Sequence, residues 1–280
     1  MKHTEFSFIA SDKVLTYAQT WQPENNLPLK GAVCLIHGLG EHGGRYEHVA
    51  RFFADNGYAT LAVDLRGHGR SEGKRGHIKN WQILHDIISQ GLAQCGQRFG
   101  VNSPFLYGHS MGGNLVINYV LQQLPNIKGC IVTAPWLEIV QPVPAIKIIL
   151  SKFVNKILGA HTEKNDIDTN NLSRDAQIVA AYNNDKLVHD KISVRLFVEA
   201  SKSAVYNLSN APKLKTPMLL MHGTADKITS YTASERFAKN APPHLLTFKP
   251  WPNYYHEIHN EPNEDKWAVL QTMLGWMEEI

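Results

Sequence analysis

Short apolar runs alternate with amphipathic stretches of helical length along most of the chain, and that alternation constrains its fold more than any other feature. Ala32–Ile36, Ala59–Val63, Phe105–Tyr107, Ile127–Val132, Pro217–Met221 and Leu245–Phe248 read as strands. Between and after them, Tyr46–Asn56, Ile78–Phe99, Met111–Gln123 and Glu264–Met277 read as helices. Strands separated by helices require right-handed βαβ crossovers and a mainly parallel sheet covered on both faces. Thr4–Ile9 and Val14–Trp21 alternate polar and apolar around the Ser11–Asp12 turn, which predicts an antiparallel hairpin ahead of the parallel part.

The rhythm breaks once. From Leu137 to Asn210 no core strand is evident and the pattern is helical, with Val143, Ile146, Ile149, Leu150, Phe153, Ile157 and Leu158 at helical spacing. We therefore expect a core formed by residues 1–136 and 211–280, with residues 137–210 inserted between two strands of one sheet. A length of 280 residues suits a single α/β unit of this kind. Charge argues against a nucleic-acid partner, because 28 basic and 25 acidic side chains leave only +3. Cys34, Cys95 and Cys130 are widely spaced and form no CxxC pair, so a disulfide framework is not expected and a reducing, cytoplasmic setting fits. No apolar run approaches the eighteen or so residues of a membrane span.

Gly108-His109-Ser110-Met111-Gly112 follows a strand and opens a helix. A serine on such a strand-to-helix turn is forced out above the sheet edge as a nucleophile, and side chains at Gly108 and Gly112 would clash there. A serine hydroxyl needs a positioned base, and the base needs an orienting acid. Asp226 closes the loop after the strand Pro217–Met221, and His256 lies in the loop after the next strand. Both fall at the carboxyl ends of parallel strands, the edge where Ser110 also sits and where open α/β sheets bind ligands. His259 is the rival base and Asp64 the rival acid; the alternative role for Asp64 is to fix the Arg66–Ser71 loop. For a developing oxyanion the donors expected are the Met111 N–H, next to the nucleophile, and the Leu39 N–H in the His37–Gly40 loop.

Two other patterns fail on spacing. Gly69-Arg70-Ser71-Glu72-Gly73-Lys74 is one residue short of a phosphate loop and is followed by Arg75 rather than serine or threonine. His256-Glu257-Ile258-His259 would need its second histidine at 260, which is Asn260. No metal or cofactor is expected.

Taken together, His37–Tyr46, Asp64–Gly73, Gly108–Gly113, Gly223–Asp226 and His256–Glu261 resemble the monoacylglycerol lipases, and equally the bacterial lysophospholipases, of the α/β-hydrolase branch that carries the serine aminopeptidase S33 domain. The likeness runs from about Leu27 onward and includes Leu172-Ser173-Arg174-Asp175. It implies the α/β-hydrolase fold, a Ser110–His256–Asp226 triad, an oxyanion hole of the Leu39 and Met111 amides, and a helical cap over an acyl pocket. Ile146, Ile149, Leu150 and Phe153 are the expected pocket residues of that cap. Lys147, Lys152 and Lys156 on the same stretch are candidates for peripheral contact with an anionic lipid surface. The expected substrate is a lipid ester, a monoacylglycerol first; the alternatives are a lysophospholipid, short-chain or aryl esters, peptide N-termini, and a non-catalytic binding role. Asn253 stands where the family often has glycine.

Overall fold

The computed structural model describes residues 1–24, 28–141 and 158–280. Its main sheet has eight strands: β1 Lys2–Ile9, β2 Leu15–Gln22, β3 Gly31–Ile36, β4 Tyr58–Val63, β5 Phe105–His109, β6 Cys130–Thr133, β9 Met218–Gly223 and β10 Leu246–Trp251. They lie in the order β1-β2-β4-β3-β5-β6-β9-β10. β1 and β2 pair antiparallel, as does β2 with β4, and every other neighbour is parallel. Two short strands, β7 Thr162–Lys164 and β8 Lys191–Ser193, pair with each other outside this sheet, within the stretch where the sequence shows no core strand.

Central strands in such a sheet must be apolar on both faces. In β3, Cys34 and Ile36 enter one core layer, while Val33 and Leu35 enter the other. The first layer is closed by α2 Gln82–Phe99 and α3 Met111–Gln123, together with α5 Val194–Asn210 and α6 Tyr231–Asn240. The second is closed by α1 Glu47–Asp55 and α7 Glu264–Glu279. The remaining helix, α4 Ala176–Asn184, belongs to the same inter-strand segment as β7 and β8.

One helix boundary differs from expectation. The apolar pattern from Ile78 predicts a helix there, yet α2 begins at Gln82. Asn80 Oδ1 accepts the Ile83 N–H at 3.1 Å, so a side chain satisfies an amide that an earlier turn would otherwise have bonded. Ile78 is fully buried all the same. Its hydrophobicity reports burial, not helix.

The topology puts β5 near the middle of the sheet, with β9 two places away and β10 at the edge. The loops that follow β3, β5, β9 and β10 therefore emerge on one edge, where their side chains can meet.

Candidate active site

Ser110 sits between β5 and α3 with φ 55° and ψ −118°, a backbone conformation that costs a non-glycine residue energy. The turn is held from three sides. Ser110 N–H donates to the Thr133 carbonyl at 3.0 Å, and the Ser110 carbonyl accepts from Asn114 N–H at 3.0 Å and Trp136 N–H at 2.9 Å. A Cβ on Gly108 would lie 2.5 Å from the Gly112 carbonyl oxygen. One on Gly112 would lie 2.3 Å from the Ile36 carbonyl oxygen and 2.4 Å from that of His37. Glycine at these positions lets α3 start directly against the end of β3.

Ser110 Oγ is 3.0 Å from His256 Nε2, and His256 Nδ1 is 2.7 Å from Asp226 Oδ2. The hydrogen-bonded chain from Ser110 through His256 to Asp226 is continuous. Asp226 Oδ2 accepts two more hydrogen bonds, from Thr229 Oγ1 at 2.9 Å and His222 Nε2 at 3.0 Å. Its Oδ1 accepts the Ile228 and Thr229 N–H groups at 2.7 and 3.0 Å. Burial alone would raise the Asp226 carboxyl; the adjacent His256 and the hydrogen bonds from His222 and His256 outweigh it and hold it well below the usual carboxylate range. Burial likewise works to lower His256, but the charge and hydrogen bond of Asp226 prevail and raise it above the ordinary imidazole value. His222 and Thr229 were not singled out from the sequence. The available signal was a second histidine in His222-Gly223-Thr224-Ala225-Asp226, four residues before the acid.

The loop after β3 passes beside the serine: a Cβ on Gly38 would sit 3.1 Å from Ser110 Cβ. Gly38 N–H is taken by Glu41 Oε1 at 2.6 Å. Among the described residues no acceptor takes the Leu39 or Met111 N–H. Glu41 also accepts from Tyr46 Oη at 2.8 Å and from Arg45 Nη1 at 2.6 Å. Arg45 then reaches Glu257, next to His256, with two parallel hydrogen bonds of 2.7 Å. This buried Glu41–Arg45–Glu257 bridge ties the loop beside Leu39 to the loop carrying His256. Burial works to raise Glu257, but Arg45 dominates and lowers it to about 2, whereas burial prevails at Glu41 and raises it.

The two rivals are occupied elsewhere. His259 is fully buried, with Nδ1 3.4 Å from Tyr107 Oη and its ring stacked on Tyr46, and burial lowers it to about 3. Asp64 accepts Gly43 N–H and Arg70 N–H, both at 2.8 Å, and so fixes the Arg66–Ser71 loop together with the start of Gly43–Tyr46. Ile146, Ile149, Leu150 and Phe153 lie outside the described residues. The segment preceding α4 bonds to the histidine loop: Glu257 N–H donates to the Leu172 carbonyl at 2.7 Å, Ser173 Oγ to the Asn260 carbonyl at 2.7 Å, and Arg174 Nε to Glu261 at 2.8 Å. Among the described residues no helix is long and apolar enough to cross a membrane.

A mostly parallel sheet with a strained serine on its central strand, and an acid and a histidine on later loops of the same edge, defines a serine hydrolase of the α/β-hydrolase fold. Comparison with known proteins agrees. The pattern of the family described as serine aminopeptidase, S33, matches residues 28–263, and the chain belongs to that family. It is 38% identical over 277 residues to an uncharacterised abhydrolase domain-containing protein of Dictyostelium discoideum, of which it spans 29% of the length. It is 28% identical over 278 residues to a monoacylglycerol lipase of Mycolicibacterium smegmatis, covering 98% of this chain and 96% of that protein. The crystal structure of a monoacylglycerol lipase from Paleococcus ferrophilus superposes with a TM-score of 0.83 at 30% identity, covering 99% and 98% of the two chains.

Proposed function

We propose that the chain hydrolyses carboxylic esters of single-chain lipids, monoacylglycerols first among them, through an acyl-enzyme on Ser110. The observation that carries this reading is the continuous Ser110–His256–Asp226 relay next to two N–H groups, those of Leu39 and Met111, with no acceptor among the described residues. His256 takes the Ser110 proton as Oγ bonds to the ester carbonyl carbon, then returns it to the leaving alcohol. Asp226 holds the imidazole tautomer, and the two amides receive the negative oxygen of the tetrahedral intermediate. Water, activated by the same histidine, releases the fatty acid. The lipid substrate is supported by the relatives named monoacylglycerol lipases, which match this chain over nearly its whole length.

Within this reading residues 137–210 act as a cap over the core of residues 1–136 and 211–280. Support comes from His189 N–H donating to the Gly40 carbonyl at 2.8 Å, and from Tyr182 lying 4.6 Å over the Arg45 guanidinium. Esters are favoured over peptide N-termini by the placement of the segment's carboxylates. An aminopeptidase needs acidic groups in its pocket to hold an ammonium, but Glu138, Glu163, Asp166 and Asp168 are all exposed, and the half-buried Asp185 is taken up by His42 Nε2 at 2.8 Å. Glu138 is paired with Arg236, and Asp168 caps its own short turn. Peripheral contact with a lipid surface through Lys147, Lys152 and Lys156 completes the proposal; those residues lie outside the described ones, and vesicle binding by their triple alanine variant tests it.

The decisive assay is steady-state hydrolysis of 1-monoacylglycerols of graded acyl length, with lysophosphatidylcholine alongside. Activity on medium or long monoacylglycerols, reduced by at least about 10³-fold in Ser110→Ala, is the expected result. Activity on lysophosphatidylcholine alone moves the head group to a phospholipid, and undiminished activity in Ser110→Ala overturns the mechanism.

A further inference from the structure

The Asp226 carboxylate is met by two imidazoles, not one. His222 is the penultimate residue of β9 and is completely buried. Its Nε2 lies 3.0 Å from the same Oδ2 that accepts from His256 Nδ1 at 2.7 Å. Its Nδ1 lies 2.8 Å from the hydroxyl of Ser234, on the buried side of α6. A ring nitrogen facing a carboxylate carries the hydrogen, so Nε2–H donates to Asp226 and Nδ1 accepts the Ser234 O–H. Both ends of the ring are thereby fixed.

We infer that His222 is a positioning residue for acyl transfer: by sharing Oδ2 with His256 it orients the Asp226 carboxylate and limits how tightly that carboxylate holds the imidazolium. The inference rests on the triad reading above. When Ser110 Oγ attacks, its O–H bond breaks, the proton passes to His256 Nε2 and the Oγ–C bond forms. The imidazolium must be stabilised by Asp226 yet must later give its proton to the leaving alcohol, so it must not be held too strongly. Oδ2 takes three donors, from His256, His222 and Thr229, and Oδ1 takes two backbone N–H groups. Each donor spreads the carboxylate charge and reduces its basicity toward His256. Removing the His222 donor concentrates charge on Oδ2, which strengthens the hold on the imidazolium and frees the carboxylate to rotate.

A merely structural histidine would join the end of β9 to α6 through Ser234 and leave the titration of His256 untouched. The pH profile separates the two roles. The titratable groups facing this cluster are His256 and its neighbour His109, Glu257 and Glu41 beyond them, and Tyr231, whose ring meets that of His222 edge-on. None is altered by the substitutions below.

The test is kcat/KM for a water-soluble ester such as p-nitrophenyl butyrate between pH 5 and 9, in wild type, His222→Leu, His222→Gln, Ser234→Ala and Ser110→Ala. His222→Leu is expected to lower the plateau about tenfold and to move the acid limb upward by about half a pH unit. His222→Gln keeps an amide N–H near the position of Nε2 and is expected within about twofold of wild type on the plateau, with an unmoved limb. Ser234→Ala, a small change at a buried site, leaves Nδ1 unpartnered and is expected to move the limb in the same direction by less. It carries the test if His222→Leu does not fold. An acid limb that coincides with wild type in His222→Leu, or in Ser234→Ala, overturns the inference; so does a His222→Gln variant as impaired as His222→Leu. Activity surviving in Ser110→Ala overturns the triad reading itself, a distinct outcome.

Discussion

Replacing Arg45 by methionine keeps the length and most of the apolar volume of the side chain and deletes the guanidinium. Three hydrogen bonds to carboxylates go with it, at 2.6, 2.7 and 2.7 Å. The two glutamates lose unequally. Glu41 retains Gly38 N–H and Tyr46 Oη, whereas among the described residues Glu257 keeps only Asn260 Nδ2 at 2.7 Å. Side-chain exposures of 9% for Arg45, 3% for Glu41 and 2% for Glu257 mean that water cannot replace the lost partner. Removing one member of a buried ionic cluster costs about 3–5 kcal/mol, because the remaining charge is buried uncompensated. The pH dependence carries the sharper signature. In the wild type Arg45 holds Glu257 at about 2. Without Arg45 burial is opposed by little, so its folded value rises above the unfolded one. A group so raised contributes stability at low pH that is lost as pH rises, and the variant should therefore recover toward wild type as pH falls from 7 to 5. Urea unfolding of both proteins at several pH values measures this. The expected difference is about 3–5 kcal/mol at pH 7, shrinking by more than about 1 kcal/mol at pH 5. Adding Glu257→Gln to Arg45→Met should restore part of the loss at pH 7. A difference below about 1 kcal/mol, or one that does not change with pH, would refute the reasoning.

In the proposed mechanism acyl transfer requires neutral His256, whose raised value places the acid limb of kcat/KM above pH 6.5, with activity falling as pH drops through it; a limb near pH 5 on a soluble ester would contradict the relay. Gly112→Ala puts a methyl group against two backbone carbonyls that cannot yield, so a loss of about 3 kcal/mol in urea unfolding, with activity lost, is expected. His37 and His259 are both buried neutral and lowered to about 3, chiefly by burial. Groups so depressed contribute stability above the unfolded value near 6.5 that is lost as pH falls toward 3. Each should add a slope of about 1.4 kcal/mol per pH unit well below 6.5, and His37→Asn should remove its share.

Much of this was legible in the sequence because it is local. The strand–turn–helix around Ser110 compresses strand end, glycine contacts and helix start into a few residues. The alternation of apolar runs and helices set the sheet by the same token. What the sequence did not reveal depends on long-range pairing. Arg45 and Glu257 are 212 positions apart, and no periodicity relates them. His222 reads as the polar end of an apolar strand until the fold brings Asp226 back beneath it. Asn80 ends the run from Ile78 through a side-chain acceptor, which an apolar pattern does not register. Asn253 is instructive in the opposite direction: the family often has glycine there, and this chain adopts φ 64° with asparagine, one of the few other residues that tolerates the left-handed region. The departure is therefore conservative in backbone terms.

A common physical device organises the whole edge. Loops leaving the carboxyl ends of β3, β4, β9 and β10 have amides that no strand partner satisfies, and a buried N–H cannot go unpaired cheaply. One carboxylate serves each loop: Glu41 takes Gly38 N–H, Asp64 takes Gly43 and Arg70 N–H, Asp226 takes Ile228 and Thr229 N–H, and Glu261 takes Tyr255 N–H. A carboxylate suits this work because its two oxygens accept several bonds at once and charge-assisted bonds are the strong ones. Burial still raises Glu41, Asp64 and Glu261, whereas at Asp226 the partners outweigh it. Arg45 serves Glu41, Arg174 serves Glu261, and His256 with His222 serve Asp226. In three loops the counter-group is a backbone amide or an arginine, which stays charged and shapes the loop. In the fourth it is an imidazole whose far nitrogen faces a serine hydroxyl, and in the proposed mechanism the same stabilising device there moves a proton.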